Sequence, residues 1–165
     1  MLNLVNALEK KQVVSRFLEE GGSYKGLVLR GPGKLVSSSF RCAVFEDCSF
    51  SELPMTAVFF EHCLFSGCSF TSMDLRYPLF SGSAFINCRF NDSTALAANF
   101  MGTEITGSDF SSNDFYSSDF SLSLITSSLF EDCNLKSAGF RGACLKDVSF
   151  RYSNVEEALY LGELL

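Results

Sequence analysis

From Leu35 to Tyr160 an apolar residue returns at every fifth position of this chain. The series runs Leu35, Phe40, Phe45, Phe50, Met55, Phe60, Phe65, Phe70, Leu75, Phe80, Phe85, Phe90, Ala95, Phe100, Ile105, Phe110, Phe115, Phe120, Ile125, Phe130, Leu135, Phe140, Leu145, Phe150, Val155 and Tyr160, with no residue inserted or deleted. Neither common element can use such a period. On an α-helix, steps of five carry the apolar position around the axis, and on a flat strand they alternate between faces. The spacing makes sense if the backbone turns a quarter circle every five residues and sends one side chain to a common axis each time. Four such turns close a square coil of twenty residues.

A second period tests the first. If coils hold twenty residues, side chains twenty apart stack and should resemble one another. Positions 40, 60, 80, 100, 120 and 140 are all Phe, followed by Tyr160, and positions 50, 70, 90, 110, 130 and 150 are all Phe. The other two columns are mixed or aliphatic. The residue two before each central one should also point inward, at a corner, and it is small almost throughout: Ala43, Cys48, Cys63, Cys68, Ser83, Cys88, Ser93, Ala98 and Thr103 are examples, with Leu53, Met73, Pro78 and Val148 as exceptions. The remaining positions are mostly Ser, Asp, Glu, Asn, Gly, Arg and Lys, as an outer surface requires.

Segments such as Ser108-Asp109-Phe110-Ser111-Ser112 and Ser118-Asp119-Phe120 carry a small residue, an acid, an aromatic and then polar residues. With this pattern held in register over residues 35–160, the chain resembles the pentapeptide repeat family. The resemblance implies an all-β fold, a right-handed quadrilateral parallel β-helix. Coils paired as parallel strands about 4.8 Å apart would make a rod roughly 30 Å long. Such stacks have open ends that need caps. The expected organisation is therefore a capping helix and lead-in segment over 1–34, the β-helix over 35–160, and a C-terminal tail over 161–165. Within the first part, Leu4, Leu8, Val14, Phe17 and Leu18 predict an amphipathic helix over 3–20, ended by Gly21-Gly22, and Gly31-Pro32-Gly33 predicts a turn before the coils begin. A second short capping helix is expected near the C-terminus. Leu159, Leu161, Leu164 and Leu165 read either as a cap or as a homodimer contact, because so apolar a tail is poorly hidden by one coil.

The net charge is −6, and it is uneven. Residues 1–34 hold six basic and three acidic residues, so the rest of the chain carries −9. Direct binding to nucleic acid phosphates is disfavoured by that balance. The seven Cys are an odd number with no CxxC pair, which reads as reduced thiols in a cytoplasmic protein. No signal peptide is legible in Met1–Leu8, and no apolar run is long enough to span a bilayer, so no membrane partner is expected. Export as an effector is left open.

Little in the sequence suggests catalysis. His62 is the one histidine, at an outward position, and it forms no acid–Ser–His set. Cys48, Cys68 and Cys88 stack in one column, but Ser108, Ser128 and Val148 continue it, so it reads as a column of small inward residues, and no metal or cofactor is expected. Gly31-Pro32-Gly33-Lys34 lacks the first Gly and the Ser/Thr of a phosphate loop. Two surface features remain. Glu104, Asp109, Asp114 and Asp119 precede four successive central residues and form an acidic belt around one coil, with Glu131 and Asp132 on the next. Asp at this position also belongs to the family consensus, where it serves local turn hydrogen bonding. Phe59, Leu64, Leu79, Ile86, Met101, Leu122 and Leu124 are apolar at outward positions on two adjacent faces and mark a contact surface. The chain is thus expected to be a non-catalytic protein-binding module. The resemblance implies a DNA-mimicking partner of a type II topoisomerase, DNA gyrase or topoisomerase IV, although the loops that interrupt the repeats of some family members are missing here. The alternative is a regulatory or secreted effector scaffold for an unrelated protein.

Overall fold

A computed structural model describes residues 1–162 and 164. The chain forms a four-sided parallel β-helix of about seven turns. Each face is named here by its central column: face one by Phe40 to Phe140, face two by Phe45 to Leu145, face three by Phe50 to Phe150, face four by Leu35 to Val155. On face two, seven three-residue strands stack without interruption from Ser23–Lys25 to Cys144–Lys146. Their register pairs Phe65 with Phe85, Phe85 with Ile105, Ile105 with Ile125 and Ile125 with Leu145, each twenty residues on. Five strands stack on face four and four on face three, while face one is held by a run of bridges from Ser39 through Phe59, Leu79, Asn99, Asp119 and Gly139 to Leu159.

Fully buried phenylalanines fill the axis. Within a column the rings stack almost parallel, at 4.5 Å for Phe50–Phe70 and 4.7 Å for Phe100–Phe120, and between columns they meet edge-on, as Phe70–Phe80 and Phe90–Phe100 do. Offset stacks along the rod and edge contacts across it are the two arrangements that the aromatic quadrupole favours. Ala95, the one small central residue, is compensated from above: the Phe115 ring lies 6.1 Å from Phe90 and 5.9 Å from Phe100, both flanking Ala95 in the coil below.

The small inward column is small because it must hydrogen-bond as well as fit. The Ser83 hydroxyl accepts the N–H of Cys63 and donates to the carbonyl of Phe60. Ser108 does the same for Cys88 N–H and the Phe85 carbonyl. Where cysteine replaces serine, the thiol donates to the equivalent carbonyl, Cys68 to Phe45 and Cys88 to Phe65. These residues sew adjacent coils together at the corners, and none needs a metal to account for it. Burial pushes the Cys48, Cys63 and Cys133 thiols up to about 11, and Cys68 is raised by its hydrogen bond to Cys88 and by burial. Of the seven thiols only Cys42 and Cys144 are exposed. Alkylation at about pH 8 is therefore expected to modify these two in the folded protein and all seven in denaturant. Mass spectrometry finding a buried thiol labelled at a comparable rate would refute the packing.

Each coil turns its corners through a residue with positive φ, glycine in eight places. Gly82 shows what a side chain would displace at a corner: a β-carbon there would sit 2.5 Å from the His62 Nδ1, so the imidazole that lies over it would have to move. Gly67 stands in the same relation to Asp47.

Both ends differ from expectation. The helix α1 (Leu2–Glu9) stops well short of residue 20. Four strands follow it: β1 (Val13–Ser15), β2 (Leu18–Glu20), β3 (Ser23–Lys25) and β4 (Val28–Arg30). Together they make an extra coil, so the β-helix begins at Val13 and not at Leu35. Val14 pairs with Leu35, Glu19 with Phe40, Tyr24 with Phe45 and Leu29 with Phe50, all twenty-one residues apart. The Gly31-Pro32-Gly33 segment supplies the extra residue. It also seats the helix: Gly33 N–H donates to the Leu8 carbonyl, at a distance that leaves no room for a β-carbon on Gly33. Val14, Phe17 and Leu18 satisfy a helical period because apolar residues three and four apart do so over a short window, yet β-branched Val13 and Val14 favour extended backbone. Only Leu4 and Leu8 are buried from the helix proper.

At the other end the expected helix is a single 3-10 turn, Val155–Glu157. There the Asn154 side chain accepts the Leu135 N–H in place of a backbone carbonyl, and the chain is back in the twenty-residue register where Leu159 pairs with Gly139. Tyr160 takes a φ of 65° and is exposed, with the Arg141 guanidinium over its ring, and Leu161 is fully buried.

Candidate protein-interaction surface

The belt residues Glu104, Asp109, Asp114 and Asp119 lie one on each face and so do not converge. Asp109, Asp114 and Asp119 each accept the N–H of the residue two further on: Ser111 at 3.0 Å, Tyr116 at 3.1 Å and Ser121 at 2.9 Å. Asn99 and Asn134 make the same bond to Met101 and Lys136. That bond replaces a backbone acceptor at a surface turn, a standard use of Asp and Asn. Three carboxylates of the belt are thus part of the scaffold, while their charge still faces solvent. Glu131 accepts from the Ser149 hydroxyl and lies 3.7 Å from the Arg151 guanidinium, and Asp132 occupies an exposed corner.

Carboxylates stand on all four faces, and several are met by bases. Lys25 pairs with Glu46 at 3.1 Å, Arg41 with Glu61 at 3.2 Å, Arg76 with Asp74 at 3.2 Å and Lys136 with Glu157 at 3.4 Å. Lys25 is raised by its hydrogen bond to Glu46, and Glu157 is held low by the Asn154 amide and Lys136. These pairs are exposed and add little stability.

The outward apolar residues fall into two groups. Phe59, Leu64, Leu79 and Ile86 are half-buried against their neighbours. Met101, Leu122 and Leu124 are exposed, and Leu129 joins them on face three. Leu129 lies outside the two faces to which the sequence pattern directs attention, but its register shows it: it stands directly over Asp109, as Leu124 stands over Glu104. Of the tail residues, Leu161 is fully buried and is not available to a second subunit, whereas Leu159 and Leu164 are exposed; Leu165 lies outside the described residues.

Two open depressions lie at the N-terminal end, about 300 Å³ beside Leu18, Glu19, Glu20, Ser39 and Arg41 and about 480 Å³ beside Glu9, Arg30, Gly31, Pro32 and Glu52. Among the described residues, no three His, Cys, Asp or Glu side chains are grouped to hold a metal ion, and no helix is long and apolar enough to cross a membrane.

No family model matches the chain, and no curated protein matches it in sequence. Solved structures do match. QnrB1, a plasmid-mediated fluoroquinolone resistance protein, superimposes with a TM-score of 0.76 at 16% identity, over 89% of this chain and 79% of QnrB1. HetL, a pentapeptide repeat protein involved in heterocyst differentiation regulation in the cyanobacterium Nostoc, superimposes with a TM-score of 0.64 at 10% identity, over 96% of this chain and 95% of HetL. At these identities the likeness is one of fold.

Proposed function

We propose that this chain, whose fold is that of the pentapeptide repeat proteins, is a non-catalytic module of the cytoplasm that binds another protein through its outer surface. The observation that carries the reading is the filled axis: the whole interior is phenylalanine, aliphatic side chains and coil-bridging hydroxyls and thiols. Catalytic and ligand sites are usually concave and partly apolar, and this rod offers its faces instead.

The finer reading is a DNA mimic that binds or protects a type II topoisomerase. A narrow rod with excess carboxylates repels nucleic acid and attracts the basic groove that normally holds it. The repeat pattern supports this through its family resemblance, and the fold shared with a fluoroquinolone resistance protein supports it further. A supercoiling assay with DNA gyrase and a fluoroquinolone is decisive: added protein should inhibit gyrase or relieve the drug, with an effect that weakens as salt rises. Unchanged gyrase activity and drug sensitivity at a large excess of protein would rule the partner out. The exposed leucines of the sixth coil, Leu122, Leu124 and Leu129, favour a second reading, a scaffold for an unrelated partner that requires apolar contacts. Homodimerisation through Leu159 and Leu164 is part of neither reading and is settled by sedimentation.

A further inference from the structure

The rod is charged unevenly along its axis. Residues 1–34 carry six basic and three acidic side chains, a net +3, and the rest of the chain carries −9. The fold gathers that positive charge at one end, on α1, on the first coil and at Lys34 directly above Val13. The three acids of this end lie in its two open depressions, Glu19 and Glu20 beside Arg41 and Glu9 beside Arg30, while Lys25 is held by Glu46. Lys10, Lys11, Arg16 and Lys34 remain. All four are exposed, and among the described residues none of them is in an ion pair. Lys11 and Arg16 occupy corners, at φ values of 61° and 57°. Apart from His62, every charged corner above them is an acid: Asp47, Glu52, Asp92, Asp132 and Asp147.

An independent feature marks the same end. Val13, Leu18 and Val28 are 64%, 75% and 47% exposed, and Leu2 on the helix is 74% exposed. The first coil thus presents an outward aliphatic side chain on three of its four faces. Lys34, Ser39 and Ser49 stand directly above these three, so the apolar columns go no further up the rod. Among the described residues, the next exposed large hydrophobic side chain is Tyr77, three coils higher. Isolated surface aliphatics are ordinary, but a ring of them confined to the coil that also holds the unpaired cations is not.

Cations and aliphatic side chains on one surface suit an anionic bilayer, whose headgroups meet the former and whose outer acyl region meets the latter. A nucleic acid would use the cations alone. The acidic coils are repelled by the same bilayer, and with carboxylates on all four faces a rod lying flat would press them against lipid. Only the N-terminal end is attracted, so the rod stands upright. A surface dock needs no spanning segment. We propose that the N-terminal end of the rod docks on an anionic membrane surface, with the β-helix projecting from it. This goes beyond the protein-binding reading: the end supplies a second surface and leaves the faces to a partner.

The probes are vesicles of phosphatidylcholine alone and of phosphatidylcholine with about one-third phosphatidylserine, mixed with the full chain and separated by flotation. The wild-type protein should bind the anionic vesicles at least about tenfold more tightly than the neutral ones, and the binding should fade as salt rises. The variant K10Q/K11Q/R16Q/K34Q should abolish that preference while keeping the fold, because all four side chains are exposed. The variant V13T/L18S/V28S should weaken binding several-fold; threonine keeps the β-branch at Val13, and serine already stands above the other two positions. Orientation is read through the two exposed thiols. Cys42 lies in the second coil, and Cys144 lies five coils higher, about 24 Å away along the axis. A donor on Cys42, in C144S, should transfer energy to a headgroup-labelled acceptor lipid more efficiently than a donor on Cys144, in C42S. Equal transfer from both sites, or stronger transfer from Cys144, overturns the upright dock. Failure of the wild type to prefer anionic vesicles overturns the site itself, as does equal affinity of wild type and quadruple variant for them. So does tighter binding to a DNA duplex than to the vesicles. Salt-sensitive self-association without lipid that the quadruple variant loses also overturns it, because the cations would then seat the acidic faces of a second copy. The gyrase assay is run without lipid, so its outcome is independent of these.

Discussion

Phe80→Ala is expected to destabilise the protein by about 3–5 kcal/mol, the range for deleting a buried phenylalanine from a packed core. Phe80 is fully buried at mid-rod. Its ring stacks on Phe60 at 5.3 Å and on Phe100 at 5.0 Å, and it meets Phe65, Phe70, Phe85 and Phe90 edge-on. No neighbour can relax into the gap without abandoning its own stack, so the cavity stays. The matched control is Phe150→Ala at the upper end, where the ring is only half-buried and touches Phe130 and Phe140. That change should cost about 1–2 kcal/mol by lost burial. Urea unfolding of both variants checks the pair, and equal costs at the middle and the end would mean that the axis is not a continuous stack.

The contrast between middle and end also explains what could be read from the sequence. Between Leu35 and Val155 the environment of every central residue is repeated above and below, so a single rule of spacing specifies pairing, burial and corner conformation together. The columns announced themselves because the same side chain suits the same place twenty residues later. At the N-terminal end that redundancy fails twice. The Gly31-Pro32-Gly33 segment shifts the register by one residue, and in the first coil Glu19 and Leu29 pair with Phe40 and Phe50 and so break the phenylalanine columns, while Val14 and Tyr24 continue theirs. The ring beneath Phe40 is supplied instead by Phe17, 5.2 Å away. Tyr160 fails although the register holds, with Leu159 still paired to Gly139: at the end of the rod its backbone takes a φ of 65°, its ring is exposed, and Leu161 is buried instead.

Surface residues have no such redundancy, and their reading is correspondingly partial. Residue type alone identified the belt and the outward leucines. The backbone bonds accepted by Asp109, Asp114 and Asp119 explain why an acid suits those positions whatever binds the rod. Glu104 makes no such bond, and Leu122 holds a φ of 60° at a corner that is Gly102 in the coil below and Gly142 in the coil above, so the scaffold does not account for these two as it does for the three aspartates.

Register itself is open to the strongest test. One alanine inserted between Ile105 and Thr106, inside the strand Glu104–Thr106, should cost more than about 4 kcal/mol or abolish the cooperative transition. The strand is paired below with Ala84–Ile86 and above with Leu124–Thr126, and side chains alternate strictly along it. An extra residue there forces either a polar side chain into the aromatic axis or a break in both ladders at once, and the buried hydroxyl or charge would have no partner. The same alanine added between Gly31 and the exposed Pro32 should cost less, about 1–2 kcal/mol, because Gly33 keeps its place against Leu8. That corner already carries an extra residue, and added length in a surface turn closes at small entropic expense. The comparison needs two unfolding curves and two far-ultraviolet circular dichroism spectra. If both insertions leave the same midpoint, coil pairing does not set the fold; if only the corner insertion is tolerated, the quarter-turn register holds the rod together.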